Sequence, residues 1–278
     1  LQLVTRIDMD LSFFQLTILA LIQGITEFLP VSSSAHLILP SLLLNWPDQG
    51  LTFDVAVHLG SLFAVFAYFR HDIVKLFLAW IRHIAQQKAS KESRLAWLIF
   101  FATIPGAVAG LFANELVENY GRSGYVIAST SLIFALLLWY ADGKTGRNES
   151  LFELSWKQAL LIGFAQALAL IPGTSRSGIT MTAALFCGLT RRSAAKLSFF
   201  MAIPIIVGSF SLRGAELLNS GTLEEQFIPL AYGVFVSGLV AFACIHYFMQ
   251  LIERIGFLPF VIYRIGLALL LFAVTFMA

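Results

Sequence analysis

The chain has 278 residues, 58% of them hydrophobic and 12% charged, with a formal net charge of +2 and a mean hydropathy of +0.82. A soluble domain carries about 25% charged residues, so this composition excludes an ordinary soluble fold and points to a polytopic membrane protein. The runs rich in Phe, Leu, Ile and Ala suit helical spans rather than a β-barrel, which would show weakly alternating segments of about 10 residues.

In chain order, Met9 is a candidate native start, with residues 1–8 then an expression remnant, and no cleavable signal peptide is evident. The apolar stretch 13–44 follows, broken by the polar run Glu27-Phe-Leu-Pro-Val-Ser-Ser-Ser-Ala-His36. Spans over about 52–69, 94–113 and 124–141 are long enough to cross the roughly 30 Å hydrocarbon layer. Between the first two, 71–90 reads as a partly amphipathic surface helix with Phe77 and Trp80 near Lys75 and Arg82, an ordinary loop helix being the preferred reading. A second broken stretch, 156–188, contains Pro172-Gly-Thr-Ser-Arg-Ser-Gly-Ile-Thr180, and spans over about 193–212, 228–249 and 257–277 complete the chain. Cys187 and Cys244 lie in apolar sequence, so no disulfide framework is implied.

Pro30 and Pro172 each remove a backbone donor and end a helix. Irregular backbone at membrane depth is tolerated only where protein or a water-filled cavity surrounds it. Both broken stretches are therefore expected to be re-entrant helical hairpins. The segment 70–94 and the connections around the second hairpin (Lys144, Arg147, Lys157, Arg191, Arg192, Lys196) are cationic. The loops 114–123 (Arg122, Glu115, Glu118) and 213–227 (Arg213, Glu216, Glu224, Glu225) are not. The positive-inside rule places the cationic groups in the cytoplasm and both termini outside. An offset of 142 residues superposes Pro30 on Pro172 and Ser33 on Ser175. Each half is then one hairpin plus three spans, and because three is odd the second half enters the membrane inverted. The expected fold is an all-α integral membrane protein, one domain over 1–278, with six transmembrane helices and two re-entrant hairpins in an inverted-topology repeat of about 13–142 and 155–278.

The second polar run suits an anion. A helix starting near Ser177 offers free N–H groups and a positive dipole end, and Gly173 permits close backbone approach. Arg176 adds a planar fork for phosphate oxygens, while Ser175, Ser177 and Thr180 add donors; N-capping by Ser175 or Ser177 is compatible with this. The first run supplies reactive groups. Gln23 and Glu27 are i, i+4 neighbours, Ser32, Ser33 and Ser34 follow the break, and His36 comes three residues after Ser33. A serine needs a base to become nucleophilic, and His36 serves, with Glu27 orienting it or taking the proton itself. Asp54 and His58, also i, i+4, read as supporting groups, metal ligands or interfacial polar residues, the last preferred because both fall near the expected outer surface. Arg264 either neutralises a buried carboxylate or reaches toward an interface.

The chain resembles the undecaprenyl-diphosphatase, or bacitracin-resistance, family from about residue 13 to its end. The residues that carry the resemblance are Gln23-Gly-Ile-Thr-Glu27, Pro30-Val-Ser-Ser33-Ser-Ala-His36 and Pro172-Gly-Thr-Ser-Arg176-Ser-Gly-Ile-Thr180. The resemblance implies a multi-pass bacterial inner-membrane enzyme that removes the terminal phosphate of a C55 isoprenoid diphosphate, recycling the carrier lipid for peptidoglycan and giving bacitracin resistance. It also implies a divalent cation, Mg2+ or Ca2+. Gln23 stands where many members carry Glu, which makes a two-carboxylate metal site doubtful; Glu27 with the diphosphate oxygens suffices for Mg2+. The first run loosely echoes lipid phosphatases that use a histidine nucleophile, which keeps His36 as an alternative nucleophile, although their Lys-rich first motif and later His–Asp pair are not found.

The expected reaction is phosphoryl transfer at converging tips. Ser33, His36 and Glu27 are catalytic, with Glu27 also the tentative metal ligand. Arg176, Ser175, Ser177, Thr180, Gly173, Ser32 and Gln23 bind the diphosphate, and the site opens to the periplasm. Expected partners are the polyprenyl diphosphate and membrane lipid, with a homodimer left open and no nucleic acid. The rival reading is an inverted-repeat transporter or flippase that binds an anionic lipid without cleaving it.

Overall fold

The computed structural model describes residues 11–116, 123–144, 149–220 and 223–277. The expectations concerning Met9, Arg147 and the charged side chains of the 114–123 and 213–227 loops fall outside the described residues. Among the described residues twelve α-helices follow one another: α1 (Phe13–Thr26), α2 (Ser33–Leu37), α3 (Leu39–Leu44), α4 (Gly50–Tyr68), α5 (Arg70–Gln86), α6 (Lys91–Leu116), α7 (Gly124–Gly143), α8 (Trp156–Ala167), α9 (Arg176–Phe186), α10 (Arg191–Ser220), α11 (Leu223–Ile255) and α12 (Leu258–Met277). Among the described residues, α4, α6, α7, α10, α11 and α12 are long and apolar enough to cross a membrane, and these are the six expected spans. The two cysteines are free.

Local sequence accounts for the starts and stops. Ser12 and Gln15 form a capping box on α1, and Ser155 and Gln158 form another on α8. The first break runs from Glu27, the C-cap of α1, to Ser32, the N-cap of α2. The second begins after a 3-10 turn, Leu168–Leu170, and ends at Ser175, the N-cap of α9. Ser32 (φ 74°) and Ser175 (φ 71°) both adopt left-handed backbone, which costs a non-glycine residue energy and persists only where the surroundings enforce it. These two serines are 143 positions apart, whereas the prolines are 142 apart. The two left-handed caps are therefore matched by an offset one residue longer than the one that matches the prolines.

The unwound carbonyls are satisfied from neighbouring helices. Thr130 of α7 donates to the Pro172 carbonyl at 2.6 Å and Ser131 to the Gly173 carbonyl at 3.2 Å. Arg264 of α12, fully buried, donates through Nη2 to the Gly173 and Thr174 carbonyls at 2.9 Å each and through Nη1 to the Pro30 carbonyl at 3.4 Å. Ser177 donates to the Leu29 carbonyl at 2.8 Å. The two breaks are thus tied to each other and to one guanidinium. Among the described residues Arg264 meets no carboxylate and is buried away from any interface; backbone carbonyls take up its two Nη groups, while its Nε has no partner. Gly173 has φ +88°, and a Cβ there would overlap Thr130 Oγ1 and the Ile127 carbonyl, so only glycine fits. Beneath the breaks, Phe28 and Phe199 meet edge to face at 5.1 Å within an apolar core that α10 and α11 also line.

Candidate active site

The joined breaks gather the reactive groups around Glu27. Its side chain is almost fully buried, a costly place for a carboxylate unless donors surround it. Oε1 accepts from Arg176 Nη2 at 2.9 Å. Oε2 accepts from Ser33 Oγ at 2.8 Å and from Gln23 Nε2 at 3.0 Å, and His58 Nε2 stands 3.3 Å away. Four groups from α1, α2, α4 and α9 therefore converge on one carboxylate.

His58 is the residue that sequence reasoning underplayed. Its Nδ1 meets its own helix at the Asp54 carbonyl, 2.6 Å away, and its Nε2 faces Glu27, so it also supports the carboxylate, one of the readings the sequence left open. Both ring nitrogens face oxygen acceptors, the pattern an imidazolium satisfies. The i, i+4 pairing of Asp54 and His58 was the available signal, but nothing local showed that this face of α4 turns toward α1.

The expected contact between Ser33 and His36 is absent. The His36 ring turns back along its own helix, placing Nδ1 2.7 Å from the Ser32 carbonyl and Nε2 2.6 Å from the Tyr263 hydroxyl. A carbonyl only accepts, so Nδ1 carries the proton and Nε2 accepts from the phenol. The two rings stack with centroids 5.5 Å apart and planes 7° from parallel. One turn of helix carries the His36 side chain away from Ser33, leaving the Glu27 carboxylate as the base that the serine hydroxyl meets.

The hydroxyls of the second break are committed to the protein. Ser175 Oγ caps α9 by accepting from the Gly178 N–H at 3.1 Å and pairs with Ser177 Oγ at 3.2 Å. Thr180 bonds back to the Arg176 and Ser177 carbonyls and donates to Ser198 Oγ at 2.7 Å. Ser198 also offers its carbonyl to Arg176 Nη1 at 3.2 Å, a role no local pattern announced. Ser32, Ser175, Ser177 and Thr180 are all buried, while Ser33 and Arg176 keep partial exposure. The Ser33 hydroxyl and the Arg176 guanidinium, both partly exposed, are aimed at the same carboxylate from opposite breaks, with His58 also partly exposed beside it.

A family model described as bacitracin resistance protein BacA matches residues 16–270. The chain belongs to that family. Its members are undecaprenyl pyrophosphate phosphatases, hydrolases that act on a lipid diphosphate in the bacterial membrane, serve cell-wall synthesis and confer bacitracin resistance. The match spans both breaks, five of the candidate spans and most of the last, and membership does not favour the transporter reading.

Proposed function

We propose that the family's phosphatase reaction runs at the joined breaks, with Ser33 as nucleophile and Glu27 as the base that takes its proton. The 2.8 Å hydrogen bond from Ser33 Oγ to Glu27 Oε2 carries this reading: Ser33 is partly exposed, and the more exposed Ser34 pairs with Ser32 rather than with the carboxylate. The diphosphate draws the Arg176 guanidinium to itself, which removes the ion pair from Glu27 Oε1 and frees the carboxylate for the proton. The Ser33 Oγ bonds to the terminal phosphorus, the bond from that phosphorus to the bridging oxygen breaks, and polyprenyl phosphate leaves. Glu27 passes that proton to the departing phosphate and then takes one from water, whose oxygen bonds to phosphorus as the bond from phosphorus to Ser33 Oγ breaks, releasing phosphate and returning the proton to Ser33. Positioning and charge neutralisation supply most of the rate in such transfers. Ser175, Ser177, Thr180 and Gly173 act by building the cap that aims Arg176, and Ser32 by holding the turn that aims Ser33.

A divalent cation fits one side of this site. Gln23 Oε1 is a buried acceptor without a donor, beside Glu27 on the next turn. Oxygen ligands of this kind suit Mg2+ or Ca2+. Among the described residues no group of three His, Cys, Asp or Glu side chains is available, so Glu27 and Gln23 would hold the ion together with the substrate. When bound, it supplies neutralisation of phosphate charge.

The broken helices are proposed as re-entrant hairpins of an inverted repeat within one domain. Supporting this, α1 packs on α11 as α8 packs on α6, and each second half-helix starts from a left-handed serine. The cationic 70–94 segment then lies in the cytoplasm and the phosphate site opens to the periplasm. Acid quenching during turnover of a prenyl diphosphate, followed by mass spectrometry, should find phosphate on Ser33, and Ser33→Ala should lose both adduct and activity. An active Ser33→Ala variant with an inactive His36→Ala variant would overturn the assignment.

A further inference from the structure

The sequence of α5 carries more than a connecting helix needs. It joins the end of one span at Tyr68 to the start of the next at Lys91, so it lies where the bilayer meets water, and none of its residues is buried. Three stripes run along it. Ile73 and Leu76 pack toward the core, and Trp80 stands edge-on to Trp97 at 5.4 Å, which docks the helix on α6. A second stripe of Val74, Phe77, Leu78, Ile81 and Ile84 is 42–56% exposed, at the i, i+3, i+4, i+7 spacing of one helical face. Beside it, His71, Lys75 and Arg82 form an exposed stripe of basic side chains. Asp72, the single acid in the helix, is held by Lys196 at 2.9 Å and does not offset that charge. Near the start of α5, Arg70, His71, Val74 and Lys75 line a recess of about 320 Å3.

We propose that α5 is an interfacial helix that binds anionic phospholipid, with a headgroup phosphate against the charged ends of Arg70 and Lys75 and the acyl chains in the apolar-walled recess beside them and along the Val74–Ile84 stripe. An exposed apolar face beside a basic one is the pattern by which helices lie in the plane of an anionic membrane. On α6, Phe100, whose ring lies 6.4 Å from that of Trp80, and Ile104 are exposed as well, apolar surface that a bilayer would cover. A phosphodiester carrying two acyl chains matches charge and apolar surface at once, which a soluble anion does not. The site is separate from the phosphatase centre and does not depend on the assignment of Ser33.

The test uses the purified full-length protein in detergent, with phosphatidylglycerol and phosphatidylcholine as probes and bound lipid read by native mass spectrometry. Each cation near a membrane surface changes lipid affinity by about fivefold. Arg70→Gln with Lys75→Gln should therefore weaken phosphatidylglycerol binding by roughly 30-fold and leave phosphatidylcholine unchanged. Phe77→Ser with Ile81→Ser should weaken both lipids. Phosphate release from a short prenyl diphosphate, unchanged in the Arg70/Lys75 variant, reports an intact fold; should that variant misfold, Lys75→Gln and Arg82→Gln alone should each show the fivefold loss. Equal phosphatidylglycerol affinity in wild type and charge variants, or no preference of the wild type for phosphatidylglycerol, would overturn the proposal.

Discussion

Replacing Glu27 by Gln keeps the side chain's shape but turns one acceptor oxygen into an NH2 donor. Oε2 receives Ser33 and Gln23 and faces His58, whereas Oε1 receives Arg176 alone. The less costly orientation therefore puts the new NH2 against Arg176, which sacrifices one charge-assisted hydrogen bond, about 1.5–3 kcal/mol. It keeps an oxygen on Ser33, so the serine stays placed, but an amide oxygen does not take a proton at neutral pH. Loss of a positioned base lowers the rate by about 10^2–10^4-fold, equivalent to roughly 3–5 kcal/mol of barrier. The assay is phosphate release from a prenyl diphosphate in detergent, with kcat and KM determined over a range of Mg2+ or Ca2+ concentrations. The fall is expected in kcat, and raised cation should not restore it. A variant within about threefold of wild type, some 0.7 kcal/mol, would refute the role of Glu27 as base. Full rescue by cation would reassign Glu27 to holding the metal.

Other expectations follow from the same contacts. His58→Gln removes the imidazole from Glu27 and should lower kcat by about tenfold, with no further loss when combined with Glu27→Gln, because groups acting as a unit are non-additive; additive losses would separate them. Tyr263→Phe keeps the stacked ring but removes the donor to His36, a neutral hydrogen bond of about 1 kcal/mol, so kcat/KM should fall by less than tenfold, and a loss as deep as that of Ser33→Ala would give the phenol a larger part. Arg264→Leu strands the Pro30 and Thr174 carbonyls in the interior and leaves the Gly173 carbonyl to Ser131 alone. Removing one side of a buried charged network costs about 3–5 kcal/mol, so thermal unfolding in detergent should show a large drop in Tm with activity lost in parallel.

Much of this protein is written in local sequence. The six spans follow from the length and apolarity of their segments, because a helix must supply about 20 apolar residues to cross hydrocarbon. The breaks follow from Pro30 and Pro172, and the start at Arg176 from the cap that Ser175 places on Gly178; Ser32 makes no such side-chain cap at the start of α2. The pairing of Gln23 with Glu27 is a helical i, i+4 contact and was equally legible. Periodicity also marked the amphipathic character of α5, but not which of its apolar stripes docks on α6 and which stays exposed.

The wiring of the site was decided by tertiary structure. Arg176 meets Glu27 across 149 positions of chain, and Arg264 meets Pro30 across 234. Proximity along the chain suggested that His36 serves Ser33, yet the ring sits on Tyr263, 227 residues away. An ungapped alignment of the prolines misses by one residue the match between the left-handed caps Ser32 and Ser175, because backbone dihedrals, not residue identity, define that match. Local periodicity determines which face of a helix a side chain occupies. Which face another helix turns toward it is set by packing of the whole bundle, and that packing brought four helices onto the Glu27 carboxylate.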